Sequence, residues 1–308
     1  MQSSQADNRS APSPLYFATM NQQSTQTELW TIMRLITWGA DFFKKRNIAS
    51  ARLTMELLLA HVLKLNRFDL YLQFERPLSE TELAKLREMV RRRANREPLQ
   101  YITGEAPFYK RIFHVTPAVL IPRPETELLV EEALRRGASL RCLDIGTGSG
   151  CIGITVALER PETTVTAIDI SPEALAIARQ NAQQLGARNI DFHQIDLFDD
   201  ERMRDLGSFD LIVANPPYIP TAEIGTLEPE VRDFEPHTAL TDGDDGYRVH
   251  RRLAELFPLL CREGGNMFVE LGYGQAANVR KLFERTPHRT ITVLTDLDKI
   301  ERILWVQK

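Results

Sequence analysis

The sequence has few cysteines, no long apolar run and no excess of basic residues, and each of these features excludes a class of protein. Three scattered cysteines, Cys142, Cys151 and Cys261, form neither a CxxC pair nor the Cys/His spacing of a zinc site. This pattern argues against a disulfide framework or a metal site, and it predicts buried thiols in a reducing compartment. No apolar run reaches the roughly 20 residues of a membrane span. The net charge of −4 lacks the basic excess of a general nucleic-acid binder. We therefore expect a cytoplasmic monomer with no membrane partner and no direct nucleic-acid substrate.

The chain is long enough for two domains. It has 308 residues, of which 43% are hydrophobic. Residues 1–26 are polar, rich in Ser, Gln and Pro, and lack the apolar core of a signal peptide. They predict a disordered tail, with Met20 as an alternative start.

Residues 27–97 have the three-to-four spacing of helices and predict a small helical bundle. The first helix has one apolar face, made of Leu29, Ile32, Met33, Ile36 and Phe43. Ser50 is the expected cap of the second helix, and Ser79 with Glu82 forms a capping box for the third. Arg91–Arg93 on the last helix are either a solvated face or a contact for RNA or an acidic partner.

Residues 98–124 mix β-forming and turn residues and predict a hairpin linker. Pro122 and Pro124 hold Arg123 extended. Glu125 and Glu127 then lie in the first turn of a helix at about 125–136, where the helix dipole favours them. Two interpretations of this stiff segment remain: it has a purely structural role at the start of the helix, or it forms one wall of a ligand site.

After Gly137 strands alternate with helices, which predicts an α/β fold. The segments and the terminal hairpin predict a doubly wound, mostly parallel seven-stranded sheet within residues 125–308. Ligands of such sheets bind outside the carboxyl ends of the strands. The predicted strands are RCLDIG, TVTAIDI, IDFHQID, FDLIVANPP, NMFVEL, TITVLTD and RILWVQK.

Four consecutive strand ends carry groups suited to one nucleoside-containing ligand. The first is glycine-rich, so the backbone can approach a ligand closely. The second, Asp169, suits ribose hydroxyls, and the third, Asp196 with Leu197, suits an adenine ring. The fourth strand end is the Asn-Pro-Pro-Tyr sequence at residues 215–218. The glycine turn and Asp169 fit NAD as well, but Asp196 and this fourth strand end favour S-adenosylmethionine.

The order of these motifs resembles a known family. DIGTGSG, AIDIS, QIDLF and VANPPYI, supported by REPLQYITGEAPFY, LIPRPETE, DGDDGYRVHRRL and VELGYGQ, resemble the HemK-like methyltransferases that modify glutamine N5 in peptide-chain release factors. The resemblance covers roughly residues 27–308. It implies a class I S-adenosylmethionine-dependent methyltransferase domain, and a helical domain at 27–97 that recognises the substrate.

The resemblance also assigns residues. Gly146, Thr147, Gly148, Ser149 and Gly150 would wrap the methionine part of S-adenosylmethionine. Asp169 would bind the ribose, Asp196 and Leu197 would border the adenine, and Asn215 lies beside the cofactor. The family often has an aromatic residue near Leu197, and here Phe198 is one place later. Asn215, Pro216, Pro217 and Tyr218 would grip the substrate glutamine of a Gly-Gly-Gln loop.

The chemistry of an amide explains this grip. Its nitrogen is a poor nucleophile because the lone pair is delocalised. The Asn215 oxygen and the Pro216 carbonyl can accept its two N–H groups, and Tyr218 can stack on its plane. Positioning of this kind can remove on the order of 7–11 kcal/mol from a bimolecular barrier. We therefore expect no His, Asp or Glu to take a proton before methyl transfer.

Other residues have weaker claims. The six histidines are dispersed along the chain and do not indicate a metal site. The acidic segment TDGDDGYRVH lacks EF-hand spacing, so we expect a turn and the start of a helix there. Glu270 ends the fifth strand and could orient the substrate loop. Two alternatives to glutamine methylation remain: adenine-N6 methylation of DNA or RNA, and a catalytically idle cofactor-binding protein.

Overall fold

The structure, a computed structural model, describes residues 29–136 and 140–308. The predicted tail at 1–26 and the alternative start at Met20 lie outside the described residues. The chain divides into two compact units, one ending at Val90 and one running from Arg91 to Lys308. The sequence predicts the end of the helical domain at residue 97, seven residues later.

The first unit is helical, as the spacing predicts. Its helices are α1 (Ile32–Lys44), α2 (Ala51–Leu63), α3 (Arg67–Leu72) and α4 (Glu80–Ala94), the last of which continues past the division. Ile32, Ile36 and Phe43 are fully buried, but Leu29 precedes α1 and is 66% exposed, so its predicted place on the inner face is wrong.

The two predicted helix caps have different outcomes. The capping box is confirmed, because the Ser79 amide donates to Glu82 Oε2 at 2.7 Å and the Glu82 amide donates to Ser79 Oγ at 3.3 Å. The Ser50 cap is wrong: Ser50 has a left-handed backbone (φ 49°) and makes no side-chain capping bond. Capping serines normally have extended backbone, which aims the hydroxyl at the first free amides.

After the end of α4, the second unit continues with a short helix and a hairpin. Helix α5 (Leu99–Thr103) precedes strands β1 (Glu105–Phe108) and β2 (Arg111–His114), which pair antiparallel. The linker predicted at 98–124 thus contains a helix as well as the hairpin. Helix α6 (Pro124–Arg136) then begins with proline, which suits a first helical turn because its missing N–H would have no partner there.

A seven-stranded sheet forms the body of this unit and confirms the predicted fold class. The strands run in the order β5-β4-β3-β6-β7-β9-β8, with parallel pairing from β5 to β7 and an antiparallel β8–β9 hairpin at one edge. Their bounds are β3 (Arg141–Ile145), β4 (Thr164–Asp169), β5 (Ile190–Gln194), β6 (Phe209–Ala214), β7 (Cys261–Glu270), β8 (Thr290–Thr295) and β9 (Glu301–Gln307).

Helices alternate with the strands. They are α7 (Cys151–Glu159), α8 (Pro172–Leu185), α9 (Asp200–Asp205), α10 (Pro229–Arg232), α11 (His237–Leu240), α12 (Arg248–Leu260) and α13 (Ala276–Phe283), with a 3₁₀ turn at Thr221–Thr226. In the described part of the chain, no helix is both long and apolar enough to cross a bilayer.

The sheet topology determines where a ligand can bind. Leu143, Val213 and Phe268, on adjacent central strands, are fully buried. The chain leaves β3 toward β4 on one side and reaches β6 on the other, so the strand order reverses at β3. A crevice forms beyond the carboxyl ends of the strands at such a reversal.

Candidate active site

A cavity of about 530 Å³ opens at the carboxyl ends of β3 to β6. Its walls include the loops after these four strands, the segment before α6 and the segment around α11. The predicted residues at the cavity are Gly146, Thr147, Gly148, Ser149, Asp169, Asp196, Leu197, Asn215, Pro216 and Pro217, whereas Gly150 and Tyr218 are not among its lining residues.

Asp144, near the end of β3, holds the glycine-rich loop in place through hydrogen bonds. Asp144 is fully buried, and its Oδ2 accepts from Thr147 Oγ1 at 2.7 Å and from the Gly153 amide at 2.9 Å. Burial raises its pKa to about 6, because the charged form loses hydration. The loop is therefore shaped by contacts within the chain.

Glycine is required in this loop for two different reasons. Gly146 has a φ of +71°, and a Cβ there would meet nothing within 4 Å, so its backbone faces open space. Gly150 has a φ of +83°, and a Cβ would approach Ile154 Cδ1 to 2.6 Å. Gly146 therefore leaves room for a ligand, whereas Gly150 shapes the start of α7.

Asp169, at the end of β4, is placed to bind a diol. Its Oδ2 accepts from the Gly148 amide at 2.8 Å and its Oδ1 from the Ser171 amide at 2.9 Å. Burial raises its pKa. Each oxygen keeps acceptor capacity, so the carboxylate can bind two neighbouring hydroxyls.

The loop after β5 offers an apolar wall and a carboxylate. Leu197 and Phe198 both line the cavity, and the Arg248 guanidinium lies 4.4 Å from the centroid of the Phe198 ring. Asp196 Oδ1 accepts from the Phe198 amide at 2.9 Å. Flat apolar surface beside a carboxylate suits an adenine ring and its amino group. These groups, together with Asp169 and the glycine loop, fit S-adenosylmethionine.

The Asn-Pro-Pro-Tyr segment follows β6 at the cavity. Asn215 is half-buried, and its Nδ2 donates to Thr126 Oγ1 at 3.2 Å. The Tyr218 carbonyl accepts from Gln275 Nε2 at 2.9 Å, and its ring is close enough to Gly272 that a Cβ there would lie 2.9 Å from Tyr218 Cδ2.

Sequence reasoning missed Thr126 and named Glu270 only as a weak candidate. Thr126 lies in the first turn of α6 and lines the cavity, and its hydroxyl donates to Glu270 Oε2 at 2.7 Å. Both side chains are buried, and burial raises the pKa of Glu270 to about 7. A threonine between two acidic residues is typical of an ordinary helix start, so no local signal in the sequence indicates that Thr126 belongs to the site.

The segment before α6 forms one wall of the cavity, as one of the two interpretations proposed. Pro122 and Arg123 line it, and Arg123 forms an ion pair with buried Glu235. The Ile121 amide donates to the other oxygen of Glu235 at 3.3 Å. Glu235 immediately precedes cavity-lining residues, so this pair fixes the position of a second wall.

Arg93 fits neither interpretation of the arginine run. It is buried and pairs with Glu230 at 3.1 Å, and Arg96 pairs with the same carboxylate at 3.2 Å. Arg92 pairs with Glu97. These contacts lie within the second unit.

The acidic segment after α11 is a turn and a helix start, as expected. Asp242 accepts from the Gly246 amide at 3.1 Å and from the Arg248 amide at 2.7 Å, where α12 begins. Within residues 29–136 and 140–308, no group of three His, Cys, Asp or Glu side chains could hold a metal ion.

The fold and the cavity define a methyltransferase. Residues 137–253 match the family described as a methyltransferase domain, and residues 34–104 match the family described as the PrmC N-terminal domain. The methyltransferase domain takes S-adenosylmethionine as its cofactor, which confirms the expectation from the strand ends.

Relatives name the particular family. The release factor glutamine methyltransferase of Geobacter sulfurreducens is 44% identical over 280 residues, 90% of this chain and 96% of that protein. Proteins of the same name from Chlorobaculum tepidum and Rhodopirellula baltica are 43% and 40% identical over 90% and 91% of this chain and 97% of each relative. The chain belongs to the release factor glutamine methyltransferase family, which confirms the resemblance.

Proposed function

We propose that this protein transfers a methyl group from S-adenosylmethionine to the side-chain N5 of the glutamine in the Gly-Gly-Gln motif of class I release factors. The relatives are named release factor glutamine methyltransferases, which supports the substrate class and the methylated residue. The observation that supports it most strongly is the position of Asn215, Pro216 and Pro217 at the cavity that also contains the glycine loop and Asp169.

Each part of the cofactor has residues of matching chemistry. Residues 146–150 would wrap the methionine part, with Gly150 acting through the loop it shapes. Asp169 would bind the ribose hydroxyls, and Asp196 with Leu197 and Phe198 would hold the adenine. When bound, S-adenosylmethionine supplies a methyl group on a positively charged sulfur, a donor that needs no further activation.

The task left to the protein is to hold the glutamine nitrogen. The Asn215 Oδ1 and the Pro216 carbonyl accept its two N–H groups and present the face of the amide from which the lone pair reacts. Pro216 has no N–H and a fixed φ, so this carbonyl is offered on stiff backbone. Tyr218 does not line the cavity, and its ring lies near Gly272, so it would support this segment rather than stack on the amide as the sequence predicts.

The carboxylates around the cavity are engaged in other ways. Asp144 holds the glycine loop, Asp169 accepts from two backbone amides, and Glu270 accepts from Thr126. We propose that none takes the substrate proton before methyl transfer. The nitrogen becomes acidic once its lone pair has been used, and its proton then passes to water.

The helical first unit has a role in this proposal. One glutamine side chain cannot distinguish a release factor from other proteins, so the helical part of the chain, predicted as residues 27–97, supplies a further recognition surface. The protein acts as a cytoplasmic monomer on a protein substrate and not on nucleic acid.

The test is methyl transfer from labelled S-adenosylmethionine. A release factor and the same factor with its motif glutamine replaced by glutamate are incubated with the protein, and tryptic peptides are analysed by mass spectrometry. One added methyl on the Gly-Gly-Gln peptide, absent from the glutamate variant, supports the proposal. Label in nucleic acid instead supports adenine methylation, and no label in either indicates an idle cofactor-binding protein.

A further inference from the structure

Three side chains from distant parts of the chain form a hydrogen-bonded row that ends at the cavity. Glu270, at the end of β7, accepts from Thr126 Oγ1 at 2.7 Å. Thr126 Oγ1 in turn lies 3.2 Å from Asn215 Nδ2. Glu270 is 4% exposed and Thr126 is 2% exposed, so water has little access to the bond between them.

The direction of this row follows from the number of hydrogens available. An ionised carboxylate only accepts hydrogen bonds, and a threonine hydroxyl has one hydrogen to donate. That hydrogen is used on Glu270, so Thr126 can only accept from Asn215. The Asn215 amide must therefore turn its nitrogen toward Thr126, which leaves Oδ1 as the atom free for the cavity.

We propose that Thr126 and Glu270 are positioning residues that set the orientation of the Asn215 amide, so that its oxygen rather than its nitrogen meets the substrate. The inference rests on the proposed function, in which that oxygen accepts from the glutamine. An amide turned the other way would place an N–H group against the N–H of the substrate, and the clamp would fail.

Protonation of Glu270 removes this control. A neutral carboxyl can donate to Thr126, which releases the hydroxyl hydrogen to bond Asn215 Oδ1 and allows the inverted amide. The pKa of Glu270 lies at about 7, raised chiefly by burial. Above about pH 7, Glu270 is ionised and the Asn215 amide is held with its oxygen toward the cavity. Below about pH 7, Glu270 is neutral and both orientations of the amide are allowed. The ionisable groups facing Glu270 are Glu125, Arg123, Arg302, Tyr218, Cys151 and His250, whose ring lies 3.3 Å from the Glu270 carbonyl oxygen.

The first experiment removes the hydroxyl. Thr126→Val should lower kcat on a release factor by roughly 10- to 100-fold, because Asn215 Nδ2 loses its buried partner. Thr126→Ser keeps a hydroxyl and should restore most of the rate. Thr155→Val is the matched control, because Thr155 is equally buried but its hydroxyl donates to the Cys151 carbonyl at 2.6 Å. A Thr126→Val enzyme with wild-type kcat would overturn the proposal.

The second experiment removes the charge. In the wild type, kcat should rise with pH through about 7. Glu270→Gln can either donate or accept, so it should show no such rise and should behave at every pH as the wild type does in acid. A Glu270→Gln profile that keeps the rise would assign it to another group and contradict the row.

A third measurement does not depend on methyl transfer. The ¹⁵N-labelled Asn215 side-chain amide, assigned by its loss in Asn215→Asp, should shift with pH near 7 in the wild type and not in Thr126→Val. If the wild type methylates nothing but this shift is present, the proposed function fails and the row stands. If the amide signal does not respond to pH in the wild type, the row is refuted whatever the activity.

Discussion

Replacing Asn215 with alanine should separate catalysis from folding and from cofactor binding. The change removes one of the two acceptors proposed for the glutamine N–H groups. It also removes the 3.2 Å bond from Nδ2 to Thr126. Thr126 keeps its 2.7 Å bond to Glu270, so the free energy of unfolding should fall by only about 0.5–1.5 kcal/mol.

The effect on the reaction should be much larger. Removing one preorganised hydrogen-bonding group from a reacting centre typically costs about 2.7–4 kcal/mol, or roughly 10²–10³ in kcat. The glycine loop and Asp169 are untouched, so the Kd of S-adenosylmethionine should change by less than about threefold. Methyl incorporation, calorimetric titration and thermal unfolding measure the three quantities on the same preparations.

A matched asparagine lies at the opposite edge of the sheet. Asn189, just before β5, donates from Nδ2 to the carbonyls of Ala157 at 3.0 Å and Thr163 at 2.7 Å. Asn189→Ala should therefore destabilise the fold by about 1–3 kcal/mol and leave kcat near the wild-type value. Retention of more than about a tenth of wild-type kcat by Asn215→Ala would refute the clamp.

Three further predictions concern packing, pH and thiols. Gly153→Ala should cost about 1–3 kcal/mol in thermal unfolding, because its Cβ would lie 2.7 Å from Asp144 Oδ2. A Cβ at Gly225 would meet no atom within 4 Å, so Gly225→Ala should cost less than about 0.5 kcal/mol. Equal losses of stability in the two variants would contradict this prediction. The pKa of Asp144 is raised from 3.8 to about 6, so this group stabilises the fold below pH 3.8 and ceases to do so as pH rises through 6. The stability of the wild type relative to Asp144→Asn should accordingly fall across that window, whereas parallel curves would exclude it. Burial raises the pKa of Cys261 to about 12 and that of Cys142 well above its usual value, so these two thiols should react slowly with an aromatic disulfide reagent at pH 8 until the protein is unfolded. Cys151 lines the cavity and is only partly buried, so its predicted burial is wrong. Rapid reaction of native Cys142 or Cys261, measured against a Cys151→Ser variant, would oppose this.

The sequence predicts the sheet and most of the cavity because their signals are local. Apolar runs mark the buried strands, and the residue that follows each run must lie at the carboxyl edge of a parallel sheet. Asp169, Asp196 and Asn215 could therefore be placed together without any long-range information. The capping box at Ser79 is equally local and equally visible.

The features that were missed depend on contacts between distant residues. Thr126 and Glu270 are 144 residues apart, and Arg123 and Glu235 are 112 apart. Nothing near Thr126 indicates which carboxylate its hydroxyl will meet. Ser50 shows the converse, since a good capping residue was overruled by a left-handed backbone at the turn between two packed helices.

The buried Asp144 has a consequence for turnover. Because its carboxylate holds both Thr147 and the Gly153 amide, the loop above it acquires its curvature when the protein folds. Conformational freedom lost at that stage does not weaken later association. A used cofactor can then leave and a fresh one enter without the glycine turn having to melt and reform between cycles.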